Sequence, residues 1–270
     1  MMKDDNLPII RGLIMNRTKN AFICLSVSML MFLGMVPHLH AETWKVASQD
    51  WAPFSGKSLP EGGACIVVLR ELLKAEGIDL IVEFYPWLRT IETGSKKEYV
   101  GVYPAYAEEL PKEGFIPSVD IFSSPLAFAE PVSKPLVWTT LDDLKGKVIG
   151  VCKGYGTTDE FVEKVDSGVI TVDAITGEAP DLQNLKKVAA GRVDASVIDA
   201  GVFEYYLNNT PELQGNVQLN SRFLAMKPSL VALNKAFPNK NAEEIIKRGL
   251  AKINPDQIIA DYMKKYFSQE

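Results

Sequence analysis

The chain has 270 residues, 47% hydrophobic and 23% charged, with a net charge of −5. This is globular composition, which excludes a disordered or collagen-like chain, and the length suits one large domain or two lobes of about 100 residues each. No basic cluster lies on any helical stretch, so nucleic-acid binding has no electrostatic support and no nucleic-acid partner is expected.

The N-terminus reads as an export signal. Lys3, Arg11, Arg17 and Lys19 make a basic start, residues 21–36 are almost wholly apolar, and Pro37 then precedes Leu39-His40-Ala41. A basic region, an apolar region and a small residue before a cleavage point follow one another in the order of a secretory signal. The apolar run of 16 residues is shorter than the ~20 a spanning helix needs. Cleavage near Ala41 is therefore expected, leaving an exported, periplasmic, monomeric protein. Residues 1–41 carry four basic and two acidic side chains, so their removal takes the net charge from −5 to −7. Both histidines, His38 and His40, lie in that segment. The remainder cannot use Ser-His-Asp or Cys-His catalysis or histidine-ligated metal, and no metal or organic cofactor is expected. Cys65 and Cys152 remain, 87 residues apart. An oxidising compartment favours their pairing, but the spacing gives no geometric support, and two buried thiols are the simpler reading.

From residue 44 onward, strand and helix patterns alternate, the mark of an α/β fold. Strands are predicted at 44–48, 78–84 and 99–103, with helices at 64–73 and 88–93. Residues 111–117 read as loop and 122–132 as extended. A second βα series starts near Leu141. It has strands at 147–152, 169–174 and 193–199, a glycine-containing loop at 153–158, and helices at 159–165, 180–190 and 202–207. A short strand at 217–219 and an extended run at 223–233 follow. Helices at 242–253 and 255–267 close the chain, the last with Asn254 as cap and Pro255 in its first position.

Several motifs in this order resemble one known family. Asp50-Trp51-Ala52-Pro53-Phe54 follows the first strand; Leu141-Asp142-Asp143-Leu144-Lys145-Gly146-Lys147-Val148-Ile149-Gly150-Val151 precedes Gly156-Thr157-Thr158; Gly191-Arg192-Val193-Asp194-Ala195 leads to Asp199. With the closing helical pair, the pattern is similar to the family 3 solute-binding proteins of bacterial ABC importers. The resemblance implies a two-lobed type II periplasmic-binding-protein fold, with mixed sheets flanked by helices and a two-strand hinge. It places 42–134 and 225–270 in lobe 1 and 135–224 in lobe 2. It also implies hinge closure on a small-molecule ligand, which a permease in the inner membrane then receives.

The candidate ligand-binding residues sit at strand ends. Trp51 and Phe54 follow the first strand, where the family sets aromatic residues against the ligand; packing within lobe 1 is the alternative. Thr157 and Thr158 open a helix, where backbone N–H groups, the helix dipole and hydroxyls suit an anion such as a carboxylate, or where a threonine merely caps the helix. Asp199 ends an apolar strand and could bind an ammonium group, as the family's acid does here, or cap the next helix. Tyr85, Trp87, Arg89, Tyr103 and Tyr106 would form an aromatic wall with one guanidinium; core packing and a surface ion pair are the alternatives.

The chain departs from the family at Glu109. Amino-acid receptors usually carry an Arg a few residues after the third strand, gripping the ligand's carboxylate, whereas this chain reads Ala105-Tyr106-Ala107-Glu108-Glu109. The ligand expected is a small polar or aromatic metabolite held by other means than a standard amino acid. No catalysis is expected. A free-standing sensor and a dehydratase-like enzyme on the same fold are the competing readings.

Overall fold

The structure, a computed structural model, describes residues 42–267. The expected signal segment, 1–41, lies outside the described residues. Among the described residues no helix is long and apolar enough to cross a membrane.

The first half of the sheet follows from three short apolar strands. β1 (Glu42–Ser48) pairs in parallel with β2 (Ile78–Phe84) and with β3 (Gly101–Ala105). Between β1 and β2 lies α1 (Ala64–Lys74), which buries Cys65, Ile66, Val68, Leu69, Leu72 and Leu73. Those spacings of one, three and four residues make one wide apolar face, which packs the helix on the sheet. Gly63 starts it at φ 106°, and a Cβ there would sit 2.5 Å from the Phe54 carbonyl oxygen. Only glycine combines that backbone conformation with so close an approach. α2 (Trp87–Gly94) follows β2.

The second half repeats the logic. β5 (Val148–Cys152) lies between β6 (Thr171–Ile175) and β7 (Ala195–Asp199), parallel to both. The connecting helices are α3 (Asp159–Asp166), α4 (Pro180–Ala189) and, after β7, α5 (Ala200–Asn209). Two long antiparallel strands, β4 (Phe115–Pro131) and β8 (Val217–Asn234), join the halves. β8 pairs with β3 near its C-terminal end, and β4 pairs with β7. One eight-stranded sheet results, in the order β2-β1-β3-β8-β4-β7-β5-β6.

The mixed parallel and antiparallel pairing agrees with the expected architecture, and the two crossing strands hydrogen-bond to both halves. The structure corrects two boundaries. Residues 115–117, read as loop, begin β4, and the strand at 217–219 and the extended run at 223–233 are one strand, β8. The β4–β8 ladder shifts register at several points. Each shift breaks the alternation by which a continuous strand is recognised.

Two cores result. Trp44, Val46, Leu69, Leu72, Ile246 and Tyr262 belong to one; Phe128, Leu144, Ile149, Phe161 and Ile170 belong to the other. α6 (Ala242–Leu250) and α7 (Pro255–Phe267) pack on α1, returning the chain's end to the half where it began. Asn254 caps α7 as its sequence position suggested, its Oδ1 accepting from Gln257 N at 3.1 Å. Cys65 and Cys152 are both buried and unbonded.

Candidate functional site

The C-terminal ends of the parallel strands in the two halves face one another. In an open α/β sheet this is where loops diverge and leave a crevice. A partly open cavity lies there, with about 30 Å³ of space open to water-sized groups. Gln49, Trp51 and Tyr106 line it from the β1–β3 half, and Tyr155, Asp181 and Asp199 from the β5–β7 half. An outer cavity of about 270 Å³ adjoins it, sharing Gln49, Cys152 and Tyr155 and walled by Phe84, Tyr85 and Trp87.

Three carboxyl groups line the inner cavity. Asp199 ends β7 and caps α5, its Oδ1 accepting from Gly201 N at 2.8 Å and Val202 N at 3.4 Å. Its Oδ2 accepts from Ser124 Oγ and, at 3.5 Å, from Tyr106 OH. Burial pushes its pKa up to about 6, and these donors limit the rise. Asp181, in the first turn of α4, accepts from Cys152 Sγ at 3.6 Å. Burial pushes it up to about 7, restrained by that thiol and assisted by the charge of Asp199. Glu109 reaches about 7 for the same reason, burial, against the pull of two backbone N–H bonds and with the help of the charge on Glu108. Its Oε2 accepts from Tyr106 N at 3.0 Å and its Oε1 from Gly156 N at 2.7 Å.

The Glu109–Gly156 bond crosses from one half to the other, and two further contacts do the same. Trp87 Nε1 donates to the Gly154 carbonyl at 2.9 Å. Lys227 donates to the Thr157 carbonyl at 3.0 Å and pairs with Glu108, its Nζ lying 5.4 Å from the Tyr106 ring centre. The loop after β5 is thus held against the opposite half through two backbone acceptors, Gly154 and Thr157, and one backbone donor, Gly156.

Of the residues singled out in the sequence, Trp51, Tyr106, Thr157 and Asp199 line the inner cavity and Tyr85 and Trp87 the outer one. The other four are placed elsewhere. Phe54 is buried behind Trp51, with ring centres 4.8 Å apart, and touches Phe122. Tyr103 is wholly buried in the core, beside the Cys65 thiol. Thr158 caps α3, accepting from Phe161 N at 3.1 Å, which uses its hydroxyl locally. Arg89 is exposed and stacks on the Tyr85 ring at 5.1 Å, pointing its charge to solvent, outside both cavities.

Gln49, Tyr155, Asp181 and Ser229 line the cavity without having been singled out. Gln49 directly follows β1 and Asp181 opens the helix after β6, so the strand-end argument applied to Trp51 and Asp199 would have found both. Ser229 lies inside β8, where register shifts leave no pattern to read.

Solved structures share this arrangement. An ancestral arginine-binding protein bound to arginine superposes with a TM-score of 0.66 at 21% identity, covering 84% of this chain and 98% of that one. The GluR0 ligand-binding core in complex with L-glutamate gives 0.67 at 16% identity, covering 85% and 100%. An ancestral amino-acid-binding protein, a precursor of cyclohexadienyl dehydratase, gives 0.62 at 17%, covering 84% and 95%. The fold is that of the two-lobed type II periplasmic binding proteins. No family model matches the chain, and no curated protein matches its sequence. In this fold the crossing pair β4 and β8 joins the two halves of the sheet, and both cavities are lined by residues of both halves.

Among the described residues, no group of three or more His, Cys, Asp or Glu is arranged to hold a metal ion.

Proposed function

We propose that this chain is a receptor of the family 3 solute-binding type, exported to the periplasm after loss of residues 1–41. It captures a small polar or aromatic solute between two lobes and delivers it to an ABC permease. Lobe 1 comprises 42–134 and 225–270, and lobe 2 comprises 135–224. The packing of α6 and α7 on α1 supports that division. The observation that carries the reading is the cavity at the strand ends, walled by rings and by buried polar groups contributed from both halves. Amino-acid-binding proteins with the same fold support it as well. A thermal-shift screen of the purified protein against a metabolite library tests it. A saturable rise in melting temperature with one chemical class is expected, and a ligand that binds N alone at 100 times its Kd stabilises by about 2.7 kcal/mol. Uniform indifference to the library would overturn the reading.

One observation favours a second reading, a dehydratase-like enzyme. Glu109 holds its carboxyl near pKa 7 at the cavity, the range in which a carboxyl can both give and take a proton. Recovery of a dehydrated product after incubation with the bound solute would establish it; recovery of the solute unchanged supports the receptor.

A further inference from the structure

We propose that the inner cavity takes the ammonium group of an organic amine that has no carboxylate beside it, and that Glu109 occupies the anion site a ligand carboxylate would need. This rests on the receptor reading above and adds the ligand's chemical class to it.

The loop before α3 is where the sequence suggested an anion site. Its backbone donor at Gly156 is already engaged, by the carboxylate of Glu109 reaching across the cleft at 2.7 Å. A ligand carboxylate would have to displace a group of its own charge. Cations are not available to it either, since no Lys or Arg lines the cavity. Of the neighbouring cations, Lys227 is committed to Glu108 and to the Thr157 carbonyl, and Lys153 lines the outer cavity, not the inner one.

What the cavity does present suits a cation. Asp199, Asp181 and Glu109 line it, and Trp51, Tyr106 and Tyr155 offer ring faces or edges on the same lining. An independent observation points to a ligand atom. Ser229 lines the cavity, is wholly buried, and its Oγ has no hydrogen-bond partner among the described residues. A buried hydroxyl is rarely left unpaired, and this one can accept from an N–H donor. Size agrees. One water needs about 10–15 Å³ on this measure, so about 30 Å³ leaves room for an ammonium group. The rest of the ligand would extend past Tyr155 into the outer cavity beside Trp87.

Calorimetry on matched pairs tests this: agmatine against arginine, 1,4-diaminobutane against ornithine, phenethylamine against phenylalanine. At least one amine should bind more than tenfold tighter than its amino acid. If every amino acid binds as tightly as its amine, or no amine binds, the ammonium assignment is overturned. A neutral or anionic library member that binds in their place leaves the receptor standing, whereas a library without any binder removes both. Glu109→Ala should free the Gly156 N–H and lower the amine-to-amino-acid preference at least tenfold. An unchanged preference in a variant that melts normally overturns the stand-in role. Should Glu109→Ala fail to fold, Glu109→Gln serves. It keeps an acceptor for Gly156 but loses the charge, so amine affinity should fall about tenfold while the amino acid stays excluded; undiminished amine affinity counts against the proposal.

Discussion

Asp181 carries its carboxyl at the buried start of α4, facing the Cys152 thiol, Asp199 and the phenols of Tyr155 and Tyr206. Its pKa is raised from 3.8 to about 7. A carboxyl raised on folding leaves stability intact below its unfolded pKa and removes it as pH climbs through the folded value. Between pH ~4 and ~7 the protein should therefore lose stability through this group. Asp181→Asn keeps an oxygen acceptor for Cys152 and removes the ionisation. Its melting temperature should match the parent near pH 4 and exceed it by several degrees at pH 8, at ~2–4 °C per kcal/mol for a protein of this size. A gap that narrows with rising pH would contradict the assignment. Asp199 serves two ends at once, capping α5 with one oxygen and facing the cavity with the other. Both readings of that residue hold together because a carboxylate has two acceptors. Asp199→Ala should cost about 0.5–2 kcal/mol by loss of the cap alone, measured by chemical denaturation without ligand.

Gly63 shows how a single backbone position sets an element. It admits the chain into α1 at a positive φ while its Cα rests against the Phe54 carbonyl. Gly63→Ala should destabilise by at least about 1–3 kcal/mol, since strain of that size attends such a conformation before any clash is counted. Equilibrium urea unfolding would show it, and an unchanged midpoint would refute the account. The helices were legible because their apolar residues recur at three and four and because caps sit where capping chemistry demands; Asn254 and Pro255 mark the start of α7 to the residue. The short parallel strands were legible as apolar runs. β4 and β8 were legible only in part, as extended runs at 122–132 and 223–233 and a short strand at 217–219, because register shifts in their ladder interrupt the period of two.

The two halves meet through ring contacts, Trp87 with Tyr155 and Tyr205 with Phe267, and through hydrogen bonds. Trp87 donates across to Gly154, and Glu109 accepts from Gly156. Under the receptor reading proposed above, closure about the two crossing strands would make and break such contacts as a unit. Trp87→Phe keeps the ring and loses the donor. A hydrogen bond of about 1 kcal/mol removed from the closed form alone shifts the closed population about fivefold. Small-angle scattering should then report a larger radius of gyration without ligand, and ligand affinity should weaken by a similar factor. An unaltered radius and affinity would show that Trp87–Gly154 does not hold the closed form.

The order of strands and helices, and the departure at Glu109 from what an amino-acid receptor carries, could be read in the chain because period, capping and turn chemistry are local properties. So could Trp51 and Asp199, each placed at a strand end by its position in sequence. What Glu109 does in place of an Arg could not be read there: its partner Gly156 is 47 residues away and belongs to the opposite half. Phe54 and Tyr103 show the same limit from the other side. Both stand beside cavity residues in sequence, yet a strand sends successive side chains to opposite faces and a tight turn folds one ring behind another. Which aromatic faces the solute and which faces the core is decided by packing, and packing exists only once distant segments have met.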